Sequence, residues 1–361
     1  MPQPSPTRFL LAHASPLLVE VLRQEIHQRD DVTLVGVCRD WQQTYHTACD
    51  LQPDILMLDA ALPGLPGPGS LAELIAAQRQ RVILSATDGC GFAADIVSYL
   101  EAGAVDFVLR RPEHTWTNPT FLGSLFDRAL LAASVPPEAL RPRVVPDLGR
   151  LLAAHPEDLC VLLGDVGAAG TLLQLLPRLE REIPGTLCVA LSLPGAITRA
   201  LARYLAPRCA VPVREAHPGD LVMPGKVLVL PGSFLASLRP AHDSRPAVFL
   251  TPREPDYRNG LPLDRTLAAL TEQMRTHLVV LSGAGPDGIE GAATVHAAGG
   301  EVWVASAACG LLPNLGNAVR ARVPTAGELP TRGALPAALS DRVTVTISRG
   351  AAGQRLGIAV A

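Results

Sequence analysis

Short apolar runs alternate with longer amphipathic stretches along nearly the whole chain. Phe9-Leu10-Leu11-Ala12 reads as a buried strand and Pro16 to Ile26 as an amphipathic helix. Val32 to Val37 is a second strand, Ile55 to Leu58 a third that runs into Asp59, Val82 to Leu84 a fourth, and Ala104 to Leu109 a fifth. Helical stretches fill the gaps, the last from Thr120 to Ala132. Apolar strands separated by helices predict an α/β fold, a doubly wound parallel sheet with its functional groups at the C-terminal strand ends.

The rhythm resumes near Asp158. Leu159 to Leu163 is a strand, followed by a Gly/Ala-rich turn from Gly164 to Gly170 and a helix from Thr171 to Glu182. Thr186 to Leu191, Lys226 to Leu230, Ala247 to Leu250, Leu278 to Leu281 and Glu301 to Ala305 are further strands. Ala196 to Ala206 and Gly288 to Ala298 are helices, and Asp264 to Arg275 a polar one. A second, mostly parallel sheet is therefore expected. Between the halves lie Pro136, Pro137, Pro142 and Pro146, with Arg141 and Arg143 among them and a short helical piece from Leu148 to Ala154. Proline fixes φ and removes a donor, so this stretch reads as a semi-rigid linker. The expected division is 8–132, a linker 133–157, and 158–350.

Composition narrows the function classes. A chain of 361 residues exceeds what one core usually serves, and 48% hydrophobic against 18% charged residues suits buried sheets. Net charge is −3, with 31 basic and 34 acidic residues well mixed, so no nucleic-acid partner is expected. Met1 to Thr7 is polar and Pro-rich, and no run reaches the roughly 18 apolar residues of a membrane span. The chain is expected to be cytoplasmic, without membrane insertion. Cys38, Cys49, Cys90, Cys160, Cys188, Cys209 and Cys309 form no CxxC pair, and several sit in apolar runs. They read as reduced core residues. His217, His242, His277 and His296 show no metal-ligand spacing, and His13 reads as a polar strand-end residue. No metal and no cofactor are expected.

Four segments carry a resemblance. Pro53-Asp54-Ile55-Leu56-Met57-Leu58-Asp59 and Gly103-Ala104-Val105-Asp106-Phe107-Val108 resemble a phosphoacceptor receiver domain of flavodoxin-like fold. Leu281-Ser282-Gly283-Ala284-Gly285-Pro286-Asp287-Gly288 resembles the signature of the methylesterase domain, and Gly225 to Gly232 a second block of it. In that order the two resemble the chemotaxis response-regulator protein-glutamate methylesterases. The resemblance implies Asp59 as phosphoacceptor with Ser85 and Arg110 nearby, and Asp287 as the catalytic aspartate. It implies chemoreceptors, other chemosensory proteins and a histidine kinase as partners.

The departures from the pattern bear on chemistry. The acidic pair that holds Mg²⁺ in such receivers is replaced in Ala12-His13-Ala14-Ser15, and Arg110 stands at the lysine position. The family's serine turn reads Gly164-Asp165-Val166-Gly167-Ala168-Ala169-Gly170, with the serine position on or next to Gly167. The histidine run reads Leu191-Ser192-Leu193-Pro194, so Ser192 replaces the base. Acyl transfer needs an activated nucleophile, a base and an oxyanion hole. The residues therefore favour a catalytically impaired regulator or scaffold. The resemblance alone favours an active esterase hydrolysing glutamyl methyl esters on chemoreceptors. Asp165 reads as a helix cap or loop carboxylate.

Overall fold

In a computed structural model, residues 5–87, 91–110, 117–140, 144–241, 246–252 and 262–333 are described. Cys90, Arg141, Pro142, Arg143, His242 and the end of the expected second domain lie outside them. The first half has strands β1 (Thr7–Ala12), β2 (Val32–Cys38), β3 (Ile55–Asp59), β4 (Val82–Thr87) and β5 (Asp106–Arg110). They form one parallel sheet in the order β2-β1-β3-β4-β5, the flavodoxin-like arrangement. Helices α1 (Pro16–His27), α2 (Trp41–Leu51), α3 (Pro68–Gln78), α4 (Ala93–Glu101) and α5 (Pro119–Ala133) complete this half. Their starts follow from local chemistry. Ser15, Asp40 and Asn118 accept backbone N–H bonds at the first turns of α1, α2 and α5, and prolines occupy the first turns of α1 and α5.

The connector is held to the second half rather than hanging free. Its strand β6 (Val144–Pro146) pairs antiparallel with a strand far downstream, and helix α6 (Gly149–Ala154) follows. The second half then runs β7 (Leu159–Gly164), α7 (Ala168–Leu175), β8 (Thr186–Leu191), α8 (Gly195–Leu205), β9 (Val213–Glu215) and β10 (Lys226–Val229). A hairpin of β11 (Phe234–Pro240) and β12 (Pro246–Pro252) precedes α9 (Pro262–Thr271) and β13 (Thr276–Val280). Helix α10 (Ile289–Ala297), β14 (Val302–Val304), α11 (Asn314–Arg322), β15 (Gly327–Glu328) and β16 (Thr331–Gly333), the partner of β6, complete the order.

Seven of these strands form a parallel sheet ordered β15-β14-β13-β7-β8-β10-β9. Its three central strands β13, β7 and β8 are buried along their whole length. Two sequence expectations change. The strand expected at Ala247 to Leu250 belongs to the separate two-stranded antiparallel hairpin β11–β12. The helix expected to reach Glu182 ends at Leu175 and passes into a 3₁₀ turn, Leu176–Arg178, because Pro177 cannot donate to the helical ladder. The halves meet where α4 packs on α7 and α8, and one apolar core runs through both.

Candidate active site

The phosphoacceptor position lies at the C-terminal edge of the first sheet. Asp59 ends β3, opposite Ser85 of β4, and is 7% exposed. One carboxylate oxygen accepts the Ala61 N–H at 2.9 Å and the other the Ala14 N–H at 3.3 Å. His13 Nδ1 approaches Asp59 to 3.3 Å, which suggests an ion pair. The same nitrogen, however, accepts the Ser15 N–H at 2.9 Å, so it carries no proton toward Asp59. Burial pushes the His13 imidazole below its ordinary range; Asp59 opposes this and Arg39 adds to it. We therefore read His13 as a neutral neighbour. Around Asp59 stand the His13 imidazole and the Ala14 backbone N–H, where Mg²⁺ would need oxygen ligands. Arg110, at the end of β5, donates to Thr87 Oγ1 at 3.3 Å. Ser85 is buried, and its carbonyl accepts the Ala60 N–H.

The second set gathers at the C-terminal ends of β7, β8 and β13. Gly164 accepts the Ser192 backbone N–H at 3.1 Å, which fixes the turn after β8 against the turn after β7. Asp165 binds the loop after β13 twice, donating its N–H to Ser282 O at 2.9 Å and accepting the Gly285 N–H on Oδ2 at 3.1 Å. Sequence reasoning on Asp165 named a cap or a loop carboxylate; the structure makes it a strap between two turns. Gly167 begins α7 with φ +81°, and a Cβ there would lie 2.8 Å from Ser282 Oγ and 2.9 Å from Leu311 Cβ. Position 167 therefore faces packed interior and has no room for a side chain. Its neighbour Val166 is buried.

Two hydroxyls near this turn escaped the sequence reading. Ser282 is fully buried, donates to Val166 O at 2.9 Å and accepts the Leu312 N–H at 3.1 Å. Thr171 is buried and donates to Cys309 O at 3.2 Å. The apolar run into Ser282 signalled burial, but its partners are remote in sequence. Both groups brace the turn from inside.

Asp287 lies on the same loop with its carboxylate directed at α9. It accepts the Leu263 N–H at 3.0 Å and the Asp264 N–H at 3.0 Å, the role of a helix cap. Asp264 in turn accepts the Gly288 and Gly291 N–H groups at 3.0 and 2.6 Å, at the start of α10. Burial pushes the Asp264 carboxyl up, while the amides of Gly291 and Gly288 draw it down. The sequence reads Asp264 to Arg275 as a polar helix; the helix spans Pro262–Thr271 instead and buries Leu263, Thr266, Leu267 and Leu270.

The first half lies against this edge. The Leu100 carbonyl is 3.9 Å from where a Cβ on Gly170 would sit, and the Tyr204 phenol of α8 donates to the Glu101 carboxylate of α4. Asp165 also lies within electrostatic reach of the buried Asp106–Arg128 pair.

A flavodoxin-like sheet with a strand-end aspartate, followed by a parallel α/β domain whose strand-end turns it abuts, defines a response regulator fused to an effector domain. The family model for the CheB methylesterase matches residues 161–330. The protein-glutamate methylesterase/protein-glutamine glutaminase of Symbiobacterium thermophilum is 30% identical over 82% of this chain and 86% of that one. Its namesake numbered 5 in Myxococcus xanthus is 30% identical over 92% of this chain and 97% of that one. The crystal structure of the Thermotoga maritima CheB methylesterase catalytic domain is 27% identical, covers 48% of this chain and 93% of that one, and superposes with a TM-score of 0.44. The chain belongs to the chemotaxis protein-glutamate methylesterase family. Among the described residues, no helix is long and apolar enough to cross a membrane.

Proposed function

We propose that the chain is a pseudoenzyme of this family: a chemosensory response regulator, working in the cytoplasm, whose surface rather than ester hydrolysis carries its function. The observation that supports this reading is the turn after β7. Methyl-ester hydrolysis and glutamine deamidation both need a nucleophile to attack a glutamyl side-chain carbonyl, and residues 164–170 offer no hydroxyl or thiol. The nearby hydroxyls of Thr171 and Ser282 are buried and hydrogen-bonded. In a serine hydrolase, loss of the nucleophile costs on the order of 10⁶ in kcat. Ser192 offers no base of near-neutral pKa, and Asp287 serves helix α9.

On this reading 8–132 is a receiver-like domain, 133–157 a connector and 158–350 a methylesterase-like domain. The partners are chemoreceptors or other chemosensory proteins, among them a histidine kinase. The shared name of the relatives favours a second reading, an active esterase on chemoreceptors, which would need a nucleophile from outside residues 164–170. Retention of receptor and kinase cytoplasmic fragments on the immobilised full chain tests the binding role. Retention is expected to be unchanged in Asp59→Asn and Asp287→Asn. Its loss in either folded variant would show that a switch or a catalytic site still governs binding.

A further inference from the structure

A second cluster of side chains sits at the opposite edge of the seven-stranded sheet. His155 and Asp158 lie in the loop that enters β7, His277 is the second residue of β13, and Glu301 directly precedes β14. Because β13 lies between β7 and β14, the three entries are neighbours. Six residues of β7 at about 3.3 Å each separate this edge from the turn at Gly164 by roughly 20 Å. The cluster is therefore distinct from the candidate active site.

We infer that His155, His277 and Glu301 form a binding site for a borderline divalent transition-metal ion such as Zn²⁺, with Asp158 as the outer acceptor for both imidazoles. One donor atom from each of the three lies within 4.8 Å of the others. His277 Nε2 lies 2.9 Å from Asp158 Oδ2, and its Nδ1 accepts the Glu301 N–H at 3.1 Å. The proton is thus on Nε2, facing the carboxylate, and the lone pair of Nδ1 receives the Glu301 backbone N–H. His155 lies between two carboxylates: Nδ1 is 3.4 Å from Asp158 Oδ2, and Nε2 is 3.3 Å from Glu301 Oε1. A neutral imidazole so placed turns one lone pair on a carboxylate oxygen, which calls for a cation between them, a proton or a metal ion.

An imidazole that binds metal through one nitrogen usually gives its other N–H to a carboxylate or carbonyl, which fixes the ring. Here both histidines share one carboxylate for that purpose. Two histidines and one glutamate, with a fourth position open to water, make a donor set suited to zinc. Ligands at about 2.1 Å from a tetrahedral ion stand about 3.4 Å apart, which His155 Nε2 and Glu301 Oε1 already match at 3.3 Å, so it is His277 that must move to complete the set. The imidazole rings, now 3.8 Å apart and tilted by 26°, must splay, and the Glu301 N–H must turn to solvent. Entry is available, since the Glu301 side chain is 45% exposed and that of His155 18%. Arg275 Nε, 3.9 Å from Asp158, is the cation nearest that carboxylate in the cluster. A bound ion would clamp the end of the connector, just after α6, onto β13 and β14.

The test uses tag-free full-length protein stripped with chelator and titrated with Zn²⁺ by calorimetry, with Trp303 fluorescence in parallel. Trp303 Nε1 donates to Glu301 Oε2 at 2.9 Å, so its emission should shift as Glu301 takes a ligand. One equivalent of Zn²⁺ is expected, with affinity lowered at least about tenfold in His155→Ala and in Glu301→Gln, and by roughly 10–100-fold in Asp158→Asn. Circular dichroism establishes that each variant is folded. Saturable binding that is equally tight in folded His155→Ala and Glu301→Gln would overturn the site. So would the absence of saturable binding below about 100 μM in the wild type.

Discussion

Asp264 and Asp287 cap each other's helices. Asp287 accepts the Leu263 and Asp264 amides at the start of α9, and Asp264 accepts the Gly288 and Gly291 amides at the start of α10. Two helix N-termini, each with orphan donors and a positive dipole end, are thereby satisfied by carboxylates from the partner segment.

The reciprocal caps make the role of Asp287 measurable. Asp287→Ala is expected to lower stability by about 1–2 kcal/mol, and Asp264→Ala by a similar amount. Asparagine caps almost as well as aspartate, so Asp287→Asn should retain most of that stability. In the double alanine variant the losses should fall short of additive, because each residue organises the other's turn. Urea unfolding of wild type and the four variants checks this. Wild-type stability in Asp287→Ala would contradict the capping role.

The strand frame was legible because every central strand contains a continuous apolar run, and parallel sheets buried on both faces favour that pattern. Asp59 and Gly164 could be placed at strand ends for the same reason. The β11–β12 hairpin was not legible, because Ala247 to Leu250 has the same composition as a strand of the main sheet. The caps, the Ser282 brace and the histidine cluster depend on segments brought together by sheet order. His155 and His277 meet only because β13 lies beside β7, which spacing along the chain does not reveal.

Receiver chemistry gives a second prediction. With His13 and Ala14 beside Asp59, incubation with acetyl phosphate and Mg²⁺ should leave Asp59 unmodified. Intact-mass spectrometry after borohydride trapping reads this out. Introducing His13→Asp together with Ala14→Asp should restore Mg²⁺ binding. An Mg²⁺-dependent adduct on the wild-type Asp59 would contradict the description of the pocket.

Stability should depend on pH through His13. Its folded pKa lies below the ordinary value of about 6.5, chiefly through burial. Near pH 6.5 the unfolded chain therefore binds more protons than the folded one, and stability rises with pH. Stability is full above about pH 6.5 and is lost as pH falls through that value toward the folded pKa. His13→Gln should flatten this part of the profile, measured by urea unfolding between about pH 5 and 8 with chelator present. An unchanged slope would mean that His13 binds its proton equally well folded and unfolded, against the effect of its burial.

The contact between the halves offers a local probe. Burial and Glu101 push the Tyr204 phenol up to about 12, so it remains a hydrogen-bond donor throughout the neutral range. Tyr204→Phe should cost about 1 kcal/mol at this contact. Amide exchange should quicken in α4 and α8 while β13, buried along its length, stays protected. Unchanged exchange in α4 would show that the Tyr204–Glu101 bond does not hold the halves together.

The central claim is that the turn after β7 performs no acyl transfer. Its most direct test is release of methanol from a glutamyl-methylated receptor fragment, and of ammonia from its glutamine form, run beside a catalytically active member of the family. Release is expected to be indistinguishable from the protein-free blank, for wild type and Asp287→Asn alike. Sustained release by the wild type that Asp287→Asn abolishes would contradict it.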